Sequence, residues 1–158
     1  MSARAGIGYD SHRFAEGRPL IVGGVEIPFE RGLDGHSDAD VLAHAITDAI
    51  LGAAGAGDIG SHFPPTDERW RNADSIELLR AVIDLIDGRV VNVDATVICE
   101  RPALGPHRDA IEARLSAAVQ APVSVKATTN EGMGAIGREE GIAAIAVASF
   151  EPGGDTDR

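Results

Sequence analysis

The chain has 158 residues, 44% hydrophobic and 25% charged, which fits one soluble globular domain with material for its own core. Its formal charge is −11, from 25 acidic against 14 basic residues, and this argues against a nucleic-acid partner, because phosphate contacts need a basic surface. No apolar run reaches transmembrane length, and a lone cysteine, Cys99, excludes an internal disulfide.

The start, MSARAGIGYD, lacks the apolar stretch of a secretion signal, so the expected location is the cytoplasm, away from membranes. Aromatics make up only 4% of the chain, so the core must be built from small and branched aliphatics. The negative charge also sets a condition. If the ligand is itself an anion, the protein must bring cations to it, as metal ions or as a few placed Arg and Lys.

Residues 5–10 (AGIGYD) predict a short strand that delivers Asp10, Ser11, His12 and Arg13 at its end. Asp10 and His12, two apart, would point to one side of an extended segment and could share an ion; a polar turn is the other reading. Leu20–Val22 and Val25–Ile27, joined by Gly23-Gly24, predict a hairpin that Pro28 closes. Next comes DGHSDADVLAHAITDAILGAAGAGDIGSHFPPTD, residues 34–67, with three of the five histidines. Ser37 is the expected N-cap of a helix whose apolar positions recur from Val41 to Leu51, with Asp38 and Asp40 in its first turn. His44 and Asp48 then share a helix face, as a metal ligand and its neighbour would; a half-buried histidine bonded to a helix carboxylate has the same pattern.

GDIGSHFPPTD reads as loop, too broken by Gly and Pro for helix or strand. A second helix is expected over Ile76–Ile86, begun by Asp74-Ser75, with Leu78, Leu79, Val82, Ile83 and Ile86 buried. Residues 90–98 predict a strand with Asn92, Asp94 and Thr96 on one face, and residues 109–119 a third helix. A strand over 123–128 leads into the glycine-rich stretch 128–141, where Arg138 could hold a phosphate, although a plain connection has the same composition. Residues 142–150 (IAAIAVASF) predict a strand buried on both faces, by helices on one side and another subunit on the other. One domain over residues 1–150 is expected, with 151–158 as a polar, disordered tail.

Together, GIGYDSHRF, GGVEIPFERGLDGHSDADVLAHAITDAILGAAGAGDIGSHFPPTD, the NADS of 72–75, NVDATVI, VKATTNEGMG and GREEGIAAIAVA span most of the chain from Ile7 to Ala148. In order and spacing they make it resemble the 2-C-methyl-D-erythritol 2,4-cyclodiphosphate synthase family of the non-mevalonate isoprenoid pathway. The resemblance implies an α+β, two-layer sandwich, with a mixed sheet facing the axis of a homotrimer and about three helices outside. It implies active sites between adjacent subunits, and a stand-alone synthase without a cytidylyltransferase half. The implied enzyme is a phosphorus–oxygen lyase that closes the cyclic diphosphate and releases CMP from a cytidine diphosphate-linked substrate.

By the same resemblance, Asp10, His12 and His44 would hold zinc, leaving the fourth position for substrate, with Asp48 as orienting group. His36 and Ser37 would contact the diphosphate, and His36 and Thr129 would stabilise the transition state. Glu131 would hold a second ion, magnesium or manganese, shared with the phosphates. Asp58, Ile59, Gly60 and the Phe63-to-Asp67 segment, Thr66 included, would surround the erythritol and diphosphate. Residues 99–105 with Thr128, Thr129 and Asn130 would form the cytidine pocket of the neighbouring subunit, and Ala135 and Arg138 complete the substrate-binding set. Pro65, Ala103, Asn130 and Ala135 depart from the family pattern, where Asp, Lys, Thr and a bulkier residue are expected; cytidine affinity is the property most exposed. Two rival readings fit the same metal constellation, a phosphohydrolase giving a linear product and a non-catalytic trimer that binds metal or an isoprenoid diphosphate.

Overall fold

The structure, a computed structural model, describes residues 2–154. Strands β1 (Arg4–Ala15), β4 (Gly32–Leu33), β5 (Gly88–Ile98), β6 (Val123–Thr128) and β7 (Gly141–Pro152) form one sheet in the order β4-β1-β7-β5-β6. Only β5 and β6 run parallel, so the sheet is mixed as expected, and β2 (Leu20–Val22) and β3 (Val25–Ile27) form the separate predicted hairpin. Helices α1 (Val41–Ala54), α3 (Ser75–Leu85) and α4 (Arg108–Val119) cover one face; α2 (Ile59–His62) and α5 (Gly134–Gly137) are single turns. The expected α+β sandwich is the observed one. Among the described residues no helix is long and apolar enough to cross a membrane.

β1 shows how the sequence sets the layers. Its even positions, Gly6, Gly8, Asp10, His12 and Phe14, face the helices, while Ile7 and Tyr9 face away. A Cβ on Gly6 would lie 2.0 Å from the Ala49 carbonyl oxygen, and one on Gly8 1.9 Å from that of Ala45. Hydrogen at these two positions is therefore what lets α1 lie directly on the strand. The alanines and aliphatics of α1 are buried all round the helix, as its lack of a polar face requires. On the other side of the sheet, Ile7 pairs with Val147 and Tyr9 with Ile145 across β1 and β7. These four side chains are 71%, 46%, 59% and 40% exposed, and they make a contiguous apolar patch on the uncovered face.

Several expectations change. β1 does not end at Asp10: it runs on to Ala15, because Asp10 to Arg13 pair with Ala144 to Gly141 of β7. Ser37 is not the N-cap. Ala39 has φ of 57°, a left-handed conformation that stops a helix from starting at Asp38, and Asp40 caps instead by accepting from Ala43 N–H at 3.0 Å. Neither Asp38 nor Asp40 therefore lies in the first turn. Gly55, at φ 69°, closes α1 by donating to Gly52 O. The segment read as loop carries α2, capped by Asp58, and its last residue, Asp67, caps a 3₁₀ turn at Glu68–Trp70. Ile83 and Ile86 are half-buried rather than buried. β7 runs to Pro152, into the stretch expected as a tail, of which residues 155–158 lie outside the described residues.

Candidate metal centre and ligand cavity

Past Gly6 and Gly8, the next two inward positions of β1 meet the first turns of α1. Asp10 Oδ2 lies 2.7 Å from His12 Nε2 and 3.2 Å from His44 Nδ1, and the two imidazole nitrogens are 3.4 Å apart. Donors bonded to a tetrahedral ion at ~2.1 Å stand roughly 3.4 Å from one another, so this set fits one small divalent ion. Two imidazoles and a carboxylate are also the donor types zinc takes. All three side chains are mostly buried but not sealed, at 18% exposed for His12, 26% for Asp10 and 13% for His44, so a ligand can reach the remaining side.

The electrostatics follow from this crowding. Burial opposes ionisation of Asp10, but its contacts with His12 and His44 prevail and lower its pKa from 3.8 to about 2. For His12 burial disfavours the cation, and the Asp10 carboxylate outweighs it, so its pKa lies above 6.5.

The contacts behind these ligands are specific. His12 Nδ1–H donates to Asp34 O at 2.8 Å, which turns Nε2 toward the cluster. Arg18 clamps the loop between them, donating to Gly35 O at 2.7 Å and Ser37 O at 2.6 Å. Behind His44 stand Ser75 Oγ, 2.7 Å from its Nε2, and Ser37 Oγ at 3.3 Å, while Ser75 O–H donates to Asp38. Asp48, expected to orient His44, does not: its Oδ1 accepts from Ile59 N–H at 2.7 Å and ties α2 to α1. Burial raises the pKa of Asp48, and the Ile59 N–H partly opposes the rise.

The other expected residues fall into three groups. His36 Nε2 donates to Asp67 O at 2.9 Å, so the loop before α1 is joined to the 63–67 segment, and Asp67 in turn pairs with Arg69. Asp58 holds Ser61 N–H at the head of α2, which carries Ile59 and Gly60; Phe63 stacks edge-on against Trp70, and Thr66 is exposed in the turn between. Second, the ends of β5 and β6 open on a cavity of about 330 Å³ lined by Glu100, Pro102, Ala103, Leu104, Thr128 and Thr129 among others. Asn130 is joined to it through its N–H, which donates to Glu100 at 2.7 Å, and Glu131 follows, exposed and in the left-handed region at φ 54°. Third, Ala135 of α5 flanks a smaller hollow beside His12, whereas Arg138 turns aside to pair with Glu140 at 2.8 Å. The metal cluster on β1 and the cavity at β5 and β6 are thus separated by β7, about two strand spacings or ~10 Å from β1 to β5.

Sequence reasoning missed Ser75, Asp38 and Arg18 as parts of these sites. Asp74-Ser75 was legible only as a helix start, and Asp74 is indeed the cap of α3. Glu100 lies within the expected 99–105 pocket, but its bond to Asn130 N–H, 30 residues away, had no local pattern to mark it.

The class that these features describe is an α+β protein with three helices on a mixed sheet and an Asp-His-His group, at a strand–helix junction, that could hold a metal ion. The profile of the YgbB family matches residues 3–151, so the chain belongs to that family. It is 60% identical over 149 residues to the 2-C-methyl-D-erythritol 2,4-cyclodiphosphate synthase of Symbiobacterium thermophilum, covering 90% of this chain and 95% of that protein. Among solved structures, a synthase of that name in a CDP-bound form superposes with a TM-score of 0.85 at 39% identity, over 94% of this chain and 100% of that one. The bifunctional IspDF of Campylobacter jejuni superposes at 0.91 with 41% identity; 96% of this chain is covered, and it spans 42% of that longer chain.

Proposed function

We propose that this protein closes 2-C-methyl-D-erythritol 2,4-cyclodiphosphate from 4-diphosphocytidyl-2-C-methyl-D-erythritol 2-phosphate, releasing CMP for isoprenoid precursor synthesis. The observation that carries this reading is the convergence of Asp10, His12 and His44 on one ion position, in a chain that also holds a cavity at β5 and β6. In formal terms it is a phosphorus–oxygen lyase: an oxygen of the 2-phosphate bonds to the β-phosphorus as the bridging bond to the CMP phosphate breaks.

Both partners in this step are anions, so charge repulsion and misorientation make the barrier. Zinc held by Asp10, His12 and His44, with magnesium or manganese at Glu131, would supply the Lewis-acid charge that offsets them. The chain's own residues do the positioning. His36 and Ser37, on the loop that Arg18 clamps, present donors to the diphosphate beside the cluster. Thr129 and Glu131 stand on the turn that Glu100 fixes through Asn130 N–H. Asp58, Ile59, Gly60 and the Phe63-to-Asp67 segment frame the erythritol unit, and Thr128 with residues 99–105 accepts the cytidine. Ala135 lies near His12, and Arg138 adds positive charge if it leaves Glu140.

The separation of cluster and cavity within one chain supports a homotrimer whose sites join two subunits. So does the uncovered patch of Ile7, Tyr9, Ile145 and Val147, which gives the sheet an apolar face to pack on the three-fold axis. A cytoplasmic location fits the single cysteine.

The test is CMP release from the diphosphocytidyl substrate, before and after chelation. Release that stops with chelator and returns with zinc plus magnesium supports the reading. Tight substrate binding without CMP release would instead favour a non-catalytic binding trimer.

A further inference from the structure

The side of His44 that faces away from the cluster is built as carefully as the ligands, from residues that have no part in the reading above. Ser75 is the first residue of α3 and is 1% exposed. Its N–H donates to Asp38 Oδ2 at 3.0 Å and its O–H donates to Asp38 Oδ1. Asp38 also accepts from Asp40 N–H at 3.2 Å, and its own N–H donates to Ala73 O at 3.1 Å. The carboxylate is therefore fixed from both helix starts.

Proton counting then decides the rest. An ionised carboxylate only accepts, so the single hydroxyl proton of Ser75 is committed to Asp38. What Ser75 offers His44 Nε2, 2.7 Å away, is a lone pair. A neutral His44 has one N–H for two acceptors; it donates to Ser75 at 2.7 Å rather than to the Asp10 carboxylate at 3.2 Å, and Nδ1, aimed at Asp10 and His12, keeps the lone pair that a cation would take. We propose that Ser75, held by Asp38, is the positioning residue that fixes His44 in its Nε2–H tautomer and so presents Nδ1 as a metal ligand. It performs on His44 the office that the Asp34 carbonyl performs on His12, and it replaces Asp48 in that role. Orienting contacts of this kind are worth ~10–100-fold in metal affinity. The inference rests on the metal-centre reading.

The test has two parts. In the unmodified chain, proton–nitrogen correlation spectra of the histidine rings give the tautomer, metal-free at a pH where the imidazoles are neutral and again with zinc bound. The expected result is a proton on Nε2 of His44 and on Nδ1 of His12. A proton on His44 Nδ1 in the neutral ring overturns the proposal, and this part needs no variant. The second part measures zinc affinity by chelator competition. Ser75→Ala should weaken zinc ~10–100-fold. Thr47→Val, which removes an equally buried hydroxyl of α1 that donates only to Ala43 O, should keep the parent affinity. Equal affinity in Ser75→Ala and parent would overturn the positioning role while leaving the metal site intact. A parent chain that binds no zinc would overturn the site itself.

Discussion

The geometry of the metal cluster depends on how closely a helix lies on a strand, and Gly8 tests this. In Gly8→Ala the new Cβ would stand 1.9 Å from Ala45 O and 2.7 Å from Ala49 N, both backbone atoms of α1. Non-bonded contacts settle near ~3.5 Å, so the strand and helix must part by roughly 1.5 Å. His44 rides on α1 immediately before Ala45, while Asp10 and His12 stay on β1. Metal sites tolerate departures of about 0.2 Å, so His44 Nδ1 leaves bonding range. Zinc affinity should fall by more than the ~100-fold that losing one orienting contact costs. Overpacking should lower stability by about 3 kcal/mol, near the top of the usual range because backbone yields less than side chain. For a chain of this size that is a Tm lower by roughly 6–12 °C. Chelator competition and thermal denaturation read the two effects. Gly52→Ala is the matched control: it lies in the same helix, but its Cβ meets nothing nearer than 3.9 Å, so it should gain up to ~1 kcal/mol. Parent-like zinc affinity and Tm in Gly8→Ala would refute the reasoning.

Three other outcomes follow from the structure. Asp40 is fully buried and accepts from Gly23, Gly24 and Ala43 N–H, so Asp40→Asn turns an amide donor toward at least one of them. Urea denaturation should show a loss of about 2–4 kcal/mol, and a change below ~1 kcal/mol would contradict that contact set. Burial raises the pKa of Cys99 from 9.0 to about 11, although a backbone contact with Arg101 opposes the rise. Its thiolate fraction at pH 8 is then roughly 100-fold below that of an ordinary thiol, and alkylation should be slowed to match until the chain is unfolded. Fast alkylation of the folded protein at pH 8 would show that the thiol is not buried as described. Ala103 lines the cavity at β5 and β6, where Ala103→Lys adds a cation; CDP should bind ~2–5-fold more tightly by calorimetry, and an unchanged Kd would show that this departure does not matter.

What could be read from the chain was local. The hairpin at 20–27 and the strand 123–128 were delimited by their turn residues, and the two-residue period of Asp10 and His12 put both on one face. The helix start was missed by three residues, from Ser37 to Asp40, because both are good caps and the choice is made by tertiary contacts. Asp40 is taken by Gly23 and Gly24 of the hairpin, and Asp38 by Ser75. The same limit explains Asp48. Spacing of four places it on His44's side of the helix, but which neighbour meets each side chain depends on where β1 and α3 are packed. His44 turns to Ser75, 31 residues away, and Asp48 turns to Ile59. The full length of β1 was hidden for a related reason: Ser11 to Arg13 are polar, and only their pairing with β7 makes them strand.

The most direct measurement is phosphorus NMR of the second product formed with CMP from the diphosphocytidyl substrate by the zinc- and magnesium-loaded protein. A cyclic diphosphate, with no terminal phosphate resonance, is the result expected if the 2-phosphate is the nucleophile and the metal cluster on Asp10, His12 and His44 holds it in line. A 2,4-bisphosphate, with two separate monoester resonances, would mean that water attacks the β-phosphorus instead, and would make the protein a phosphohydrolase built on the same ligands.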